Sequence, residues 1–331
     1  MTTVRASMLD VAKLLNPDGS AALVAEVLQQ SNPFLQHAPY LPSNAEMGNR
    51  VTIRTSRTTA GWTRVNQGYT PTKGTTKQQV DTIGILSSSS EIDARILKTQ
   101  GKEAFEAQRG ADDRSHMQVL SETVASTILY GSQLTDEAAF TGLQLRLETA
   151  ATSISGSQVK KHHTSPSGSD YTSIYTVDWH ADYVHLIYPK KSTVPMGLDT
   201  QDKGEERVDD ADGNPMRAYV TTYDWMVGLT VKDPRHIARL CNIDVSQALT
   251  DSTTLLVNSL IQMLNGMPQK NGAMRAMYMS RNILSAFELQ LLSKSNILFS
   301  WQEYLGEKVL TFKGIPLYAC DAVSEAESLV A

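Results

Sequence analysis

The sequence predicts an α+β fold in which strands and helices follow no regular βαβ alternation. Three observations carry that reading. Residues 51–85 and 171–243 hold runs rich in β-branched and aromatic residues at strand length. Residues 103–130, 246–264 and 281–292 carry apolar residues at helical spacing. No internal repeat or heptad seam organises the rest. With 331 residues and 41% apolar content the chain can bury a sizeable core, in about two domains or one interleaved unit.

Taken in order, residues 1–50 read as an arm. Ser7–Leu15 suits a short helix stopped by Asn16-Pro17-Asp18-Gly19, and Ala21–Gln30 resumes a helical pattern. Pro33, Pro39 and Pro42 then keep the chain extended. A segment of this kind cannot bury itself alone and is expected to lie along something else.

Val51-Thr52-Ile53-Arg54-Thr55 alternates as a half-exposed strand does, and Thr75–Ile85 suits a returning strand. Gly61, Gly68, Pro71 and Gly74 punctuate the stretch between them, which predicts a long β-hairpin with an open tip. Residues 50–80 carry Arg50, Arg54, Arg57, Arg64, Lys73 and Lys77 and no acid. A solvated basic ribbon would explain this. Because so long a hairpin with little apolar content is marginal by itself, docking onto an acidic surface is the preferred reading.

Residues 103–130 give the strongest helical signal, with Phe105, Met117, Leu120, Val124 and Ile128 on one face. Gly131 suits the helix stop, and Gly110 marks a weak middle. Residues 149–169 read as loop and 171–195 as strand. Asp199, Asp202, Glu205, Glu206, Asp209, Asp210 and Asp212 form an acidic stretch against only Lys203 and Arg207. Met216–Ile243 reads as long strands around Asp233-Pro234, and Met274–Met279 as a short strand between the last two helices. Val309–Phe312 and Ile315–Ala319 are strands joined by Lys313-Gly314.

Composition excludes several classes. The net charge of −5 and a pI near 5.8 argue against a global basic field that clamps nucleic acid. No apolar run approaches the ~20 residues that cross a bilayer. The first 15 residues show no secretory pattern, and Cys241 and Cys320 cannot make a disulfide framework, so a reducing compartment is expected.

Catalytic constellations are missing from the sequence. Asp178, His180, Asp182 and His185 invite a metal reading, but their spacing matches no metal template, and polar residues on an exposed strand explain them better. His162-His163 reads as part of a solvated loop. Asp210-Ala211-Asp212-Gly213-Asn214 looks like a calcium loop, but its Gly falls one place early and position 221 is Thr, so a turn between strands is expected. There is no phosphate-binding glycine loop and no nucleophile elbow, and Cys241 lies in an apolar strand where an inert thiol is expected. No cofactor is expected.

The order of features resembles the major capsid proteins of tailed bacteriophages, with their Hong Kong 97-type shell fold. Gly61-Trp62-Thr63-Arg64-Val65-Asn66-Gln67-Gly68 followed by Thr75–Val80 is similar to that family's E-loop. Ser90-Glu91-Ile92-Asp93 leads into a spine helix, followed by Leu129-Tyr130-Gly131, Asp136 and Phe140-Thr141-Gly142-Leu143. Tyr223–Asp244, with Lys232-Asp233-Pro234-Arg235 at its centre, is the most specific stretch, and Phe312–Leu317 fits the closing strands.

The resemblance implies an N-terminal arm (1–50), an E-loop hairpin (51–82) and a peripheral domain with a spine helix (83–143). A mainly axial domain (144–300) with interleaved peripheral strands (about 216–243) and closing strands (301–331) would follow. It further implies a non-enzymatic structural protein that self-assembles into hexamers and pentamers of an icosahedral head around double-stranded DNA, bound without sequence specificity. A portal protein, scaffold and decoration or cement proteins are the other implied partners, with no membrane. The shell would be a virion component assembled in the host bacterial cytoplasm. Some relatives cross-link their E-loops through Lys and Asn. Lys73, Lys77 and Asn66 are present here, but no activating carboxylate can be placed, so non-covalent assembly is expected.

The opposite charge bias of two stretches suggests how copies dock. Arg54, Arg57, Trp62, Arg64, Lys73 and Lys77 would meet Asp202, Glu205, Glu206 and Asp209 of a neighbour. The competing readings are an encapsulin-like nanocompartment shell enclosing cargo enzymes and, from another class, a metal-dependent enzyme using Asp178, His180 and His185.

Overall fold

The computed structural model describes residues 32–95, 102–147, 158–163, 170–209, 213–250, 254–291, 299–304 and 307–330. The helical expectations for Ser7–Leu15 and Ala21–Gln30 lie outside these residues. The strands, in chain order, are β1 (Tyr40–Pro42), β2 (Gly48–Arg54), β3 (Thr76–Thr82), β4 (Gly84–Asp93), β5 (Val159–Lys161), β6 (Tyr171–Trp179) and β7 (Val184–Tyr188). They continue as β8 (Leu198–Asp209), β9 (Pro215–Val231), β10 (Ile237–Asp244), β11 (Met274–Met279), β12 (Phe299–Tyr304), β13 (Glu307–Phe312) and β14 (Ile315–Ala319). The chain divides into two compact units.

The first unit takes Ile85–Val124 and Ser192–Val227 of the described chain. β8 and β9 form a long antiparallel hairpin, from Leu198 opposite Trp225 to Asp209 opposite Pro215, with a register shift between Asp202 and Gly204. β4 lies on the other side of β9. As far as Asp209 the acidic stretch is therefore an edge strand; the turn expected from Asp210 onward falls largely on residues 210–212, outside the described residues.

The helix Lys102–Tyr130 runs unbroken past Gly110, with Val124 as the last of its residues in the first unit. Leu120, Val124 and Ile128 are buried as their spacing predicts, while Met117 is only half-buried. Around Met117 the helix is held by polar pairs. Arg109 meets Asp202 at 2.8 Å and Thr221 at 3.0 Å, Ser88 meets His116 at 2.7 Å, and the Tyr223 hydroxyl donates to Asp113. His116 also stacks on Tyr223, with ring centroids 5.4 Å apart.

The second unit takes Ser31–Gly84, Ala125–Lys191 and Gly228–Ala331. Its strands follow the order β12-β13-β14-β11-β6-β7, and β7 pairs antiparallel with the last residues of β9. β10 runs antiparallel to β6 and parallel to β5. All nine residues of β6 are buried, which explains its near-continuous apolar and small-polar sequence. Leu256, Leu260, Met263 and Phe287 of helices Thr254–Asn265 and Arg281–Leu291 pack with Leu240, Met277, Phe299, Phe312 and Leu317 into the core. Lys313 and Gly314 close the β13–β14 hairpin at φ +51° and +72°, the left-handed pair that a two-residue turn needs.

One local expectation is corrected. Between Pro33 and Pro39 the chain is not extended but makes a one-turn helix, Phe34–His37. Pro33 sits at the N-cap, where its missing N–H costs nothing. Phe34 is fully buried against Tyr278, with ring centroids 4.0 Å apart, and His37 Nδ1 lies 2.8 Å from the Tyr278 hydroxyl. β1 then pairs parallel with β7.

Gly131 follows the last helical residue, Tyr130, as expected of the stop, and does so without a positive φ. It is there for space: a Cβ would lie 2.4 Å from the Phe140 carbonyl and 2.5 Å from the Thr127 carbonyl.

Candidate functional site

β2 and β3 form a two-stranded sheet of their own, in register from Gly48 opposite Thr82 to Arg54 opposite Thr76. Its foot is packed and its far end is not. Gly48, Asn49, Val51 and Asp81 are buried, whereas nearly every residue from Arg54 to Gln78 is exposed. Thr55 and Thr75 bond across the ribbon just beyond the strands, and Thr72 donates to the Thr59 carbonyl at 2.9 Å. The Arg64 carbonyl accepts from the Gln67 N–H at 3.1 Å around Asn66, which sits at φ +69°.

At the tip Trp62, Val65 and Tyr69 are each at least 85% exposed. Large apolar side chains at that exposure forfeit the ~25 cal/mol per Å² that burial would return, which marks them as unfinished contacts. Arg54, Arg57, Arg64, Lys73 and Lys77 are exposed along the same ribbon.

The foot is fixed by Asp81. Its carboxylate accepts from Arg146 Nη2 at 2.8 Å, from the Val231 N–H at 3.2 Å and from Gln79 at 3.0 Å. Close backbone approach finishes the joint, since a Cβ on Gly228 would lie 2.5 Å from the Thr82 carbonyl and one on Gly48 2.6 Å from that of Asp81.

The acidic residues Asp202, Glu205, Glu206 and Asp209 are exposed on β8. Asp202 pairs with Arg109 at 2.8 Å, and Glu205 with Arg217 at 3.5 Å. The Arg109 guanidinium holds the Asp202 carboxyl below the usual carboxylate range.

The Asp178–His185 cluster is not an exposed strand. β6 ends at Trp179, and Asp178 is fully buried. Its carboxylate is taken by Arg275 at 2.6 and 2.7 Å and by His236 Nδ1 at 2.7 Å, with Tyr183 stacked on His236 at 3.7 Å. His180 turns instead to Asp182. His185 is buried, and desolvation lowers its pKa to about 4. No group of three or more His, Cys, Asp or Glu among the described residues is placed to hold a metal ion.

His162 is likewise no solvated loop residue. It is half-buried, its N–H donates to the Cys241 carbonyl, and burial lowers its pKa to about 4. Cys241 and Cys320 are buried thiols, and desolvation raises both, Cys320 to about 12.

Sequence reasoning missed Arg109, Arg146 and the paired cations Lys232 and Arg235 beside the hairpin. Only the last two had a signal, the Lys-Asp-Pro-Arg turn.

The buried charges Asp81, Asp178 and Glu327 are paired internally, and the basic ribbon is left outside, an arrangement that suits a structural protein. Its fold agrees: the chain is similar to the structure of bacteriophage Epsilon15 (27% identity, TM-score 0.80, 100% of this chain and 98% of that one). It is also similar in fold to the bacteriophage JBD30 capsid (11% identity, TM-score 0.51, 90% and 93% of the two chains). The fold is the Hong Kong 97-type of phage capsids. A search of curated proteins finds no match. The chain belongs to the family of major capsid protein GP7, whose model matches residues 16–331, and so is a major capsid protein of a tailed phage, a structural component and not an enzyme.

Proposed function

We propose that copies of the chain assemble into hexamers and pentamers and close into an icosahedral head around double-stranded DNA. Residues 1–50 act as an arm and 51–82 as the E-loop. Residues 83–143, with strands near 216–243, act as the peripheral domain, 144–300 as mainly the axial domain and 301–331 as closing strands. Assembly is non-covalent and takes place in the host bacterial cytoplasm. A portal protein, a scaffold and a decoration protein complete the head.

One observation carries this reading: a firmly rooted hairpin holds Trp62, Val65 and Tyr69 out in solvent. A second copy is the partner present in greatest number to cover them. Each contact is modest, since exposed ion pairs contribute only ~0–1 kcal/mol. Several on each copy act together through a high effective concentration. Arg54, Arg57, Arg64, Lys73 and Lys77 then set register against the acidic strand of a neighbour, Asp202 to Asp209.

The near-neutral balance of charge suits a container. A strongly basic wall would trap DNA by counterion release, whereas confinement lets it leave.

The test is Arg57→Glu with Arg64→Glu, read by the yield of assembled particles. Lower yield with an unchanged subunit melting temperature is expected. Unchanged yield and unchanged salt dependence would refute the docking.

A further inference from the structure

The Lys232-Asp233-Pro234-Arg235 turn is fixed by its own hydrogen bonds and by bonds from Lys232 to the 181–183 turn. Asp233 accepts from the Arg235 N–H at 3.0 Å and from its guanidinium at 2.7 Å, capping a short 3-10 turn whose first residue is Pro234. Lys232 is half-buried, and its ammonium is tied to the Ala181 carbonyl at 2.8 Å, a neutral acceptor that leaves the charge unmatched. Both cations are thus held in place before any partner arrives.

Opposite them runs the outer part of β2. Thr52–Arg57 and Lys232–Arg235 line one open cleft of about 510 Å³. Arg54, Arg57, Lys232 and Arg235 face its space with Asp233 as the single carboxylate, and that carboxylate is already committed to Arg235. A concave site with low-dielectric walls and one sign of charge concentrates the opposite charge.

We propose that this cleft is the socket for the acidic edge strand β8 of a second copy, with Glu206 and Asp209 entering it. The inference rests on the shell reading and refines it: the receiving surface is the 52–57 segment of the hairpin together with the 232–235 turn, not the ribbon alone. Three features fit β8 to the site. It is extended, it is an edge strand that among the described residues pairs with β9 alone, and it carries Asp199, Asp202, Glu205, Glu206 and Asp209 within twelve residues. Phosphate groups of DNA share the negative charge but not the fixed spacing along an edge strand, and they become an outcome of the test.

The experiment is a charge swap. Arg57→Glu with Lys232→Glu should cut the assembled fraction about tenfold, because charges at an interface rim govern encounter and register. The melting temperature of the unassembled subunit should hold. Adding Glu206→Lys and Asp209→Lys to the same chain should restore assembly, since every copy then offers a reversed strand to a reversed cleft.

Wild-type yield from the first variant, or no recovery in the second, would overturn the proposal. Normal particles that fail only to retain DNA would also overturn it and assign the cleft to phosphate. A wild-type chain that forms no particles would bring down the shell reading itself, a result distinct from these.

Discussion

Asp81 and Arg146 form a buried ion pair at the root of the projecting hairpin, 2.8 Å apart, with side chains 1% and 10% exposed. The pair joins the last residues of β3 to the short helix Leu143–Arg146, and Asp81 reaches the β9 backbone through Val231. It fixes the direction in which the ribbon leaves the body.

Asp81→Asn should therefore destabilise the subunit by about 3–5 kcal/mol, because it leaves the Arg146 charge buried without its partner. Denaturant titration of the unassembled protein measures this. Asp81→Asn combined with Arg146→Met should recover part of the loss. Equal losses in the single and double variants would contradict the pairing.

A second buried pair holds the C-terminal segment. Arg239 donates to Glu327 at 2.8 Å with both side chains almost fully buried, and Glu327 also accepts from the Tyr130 hydroxyl at 2.7 Å and from that of Tyr175 at 3.1 Å. Glu327→Gln should cost about 3–5 kcal/mol for the same reason. It should also open residues 320–330 to limited proteolysis, while Glu325→Gln, at a half-buried position where the new amide can still accept from Asn282, should leave both readouts unchanged.

Acid should weaken the fold in a defined window. Burial lowers His37, His162 and His185 to about 4, against an ordinary value of 6.5. Between those values the unfolded chain binds more protons than the folded one, so stability falls as pH drops from about 6.5 to about 4 and is flat above. Below that range Asp93, Asp202 and Asp233, whose pKa values are lowered, lose their ionised partners' contribution as well. Calorimetric melting temperatures at pH 7.5, 5.5 and 4.5 should decline in that order, and His37→Gln should flatten the decline. A constant melting temperature would contradict it.

Much of this was legible in the sequence because it was local. The alternation at Val51–Arg54, the glycine punctuation and the absence of acids describe the hairpin before any contact is known. Lys313-Gly314 declares its own turn. What escaped was long-range or composed of polar residues. Arg239 sits in an apolar strand with its partner 88 residues away. Leu198–Asp209 announced itself by charge and by the turn expected after it, and its partner and register come only from pairing with β9. Met117 follows helical spacing, yet polar bonds to β8 and β9 hold that part of the helix. The 52–57 and 232–235 segments lie far apart in sequence, so the cleft they line has no local signature.

The central claim is that the projecting ribbon is completed by another copy. Electron cryo-microscopy of the expressed protein tests it most directly. Closed shells in which Trp62, Val65 and Tyr69 lie buried on a neighbouring subunit are the predicted result. Shells whose ribbon tips stand free in solvent, or a monodisperse monomer at high concentration with the ribbon folded onto its own body, would contradict it.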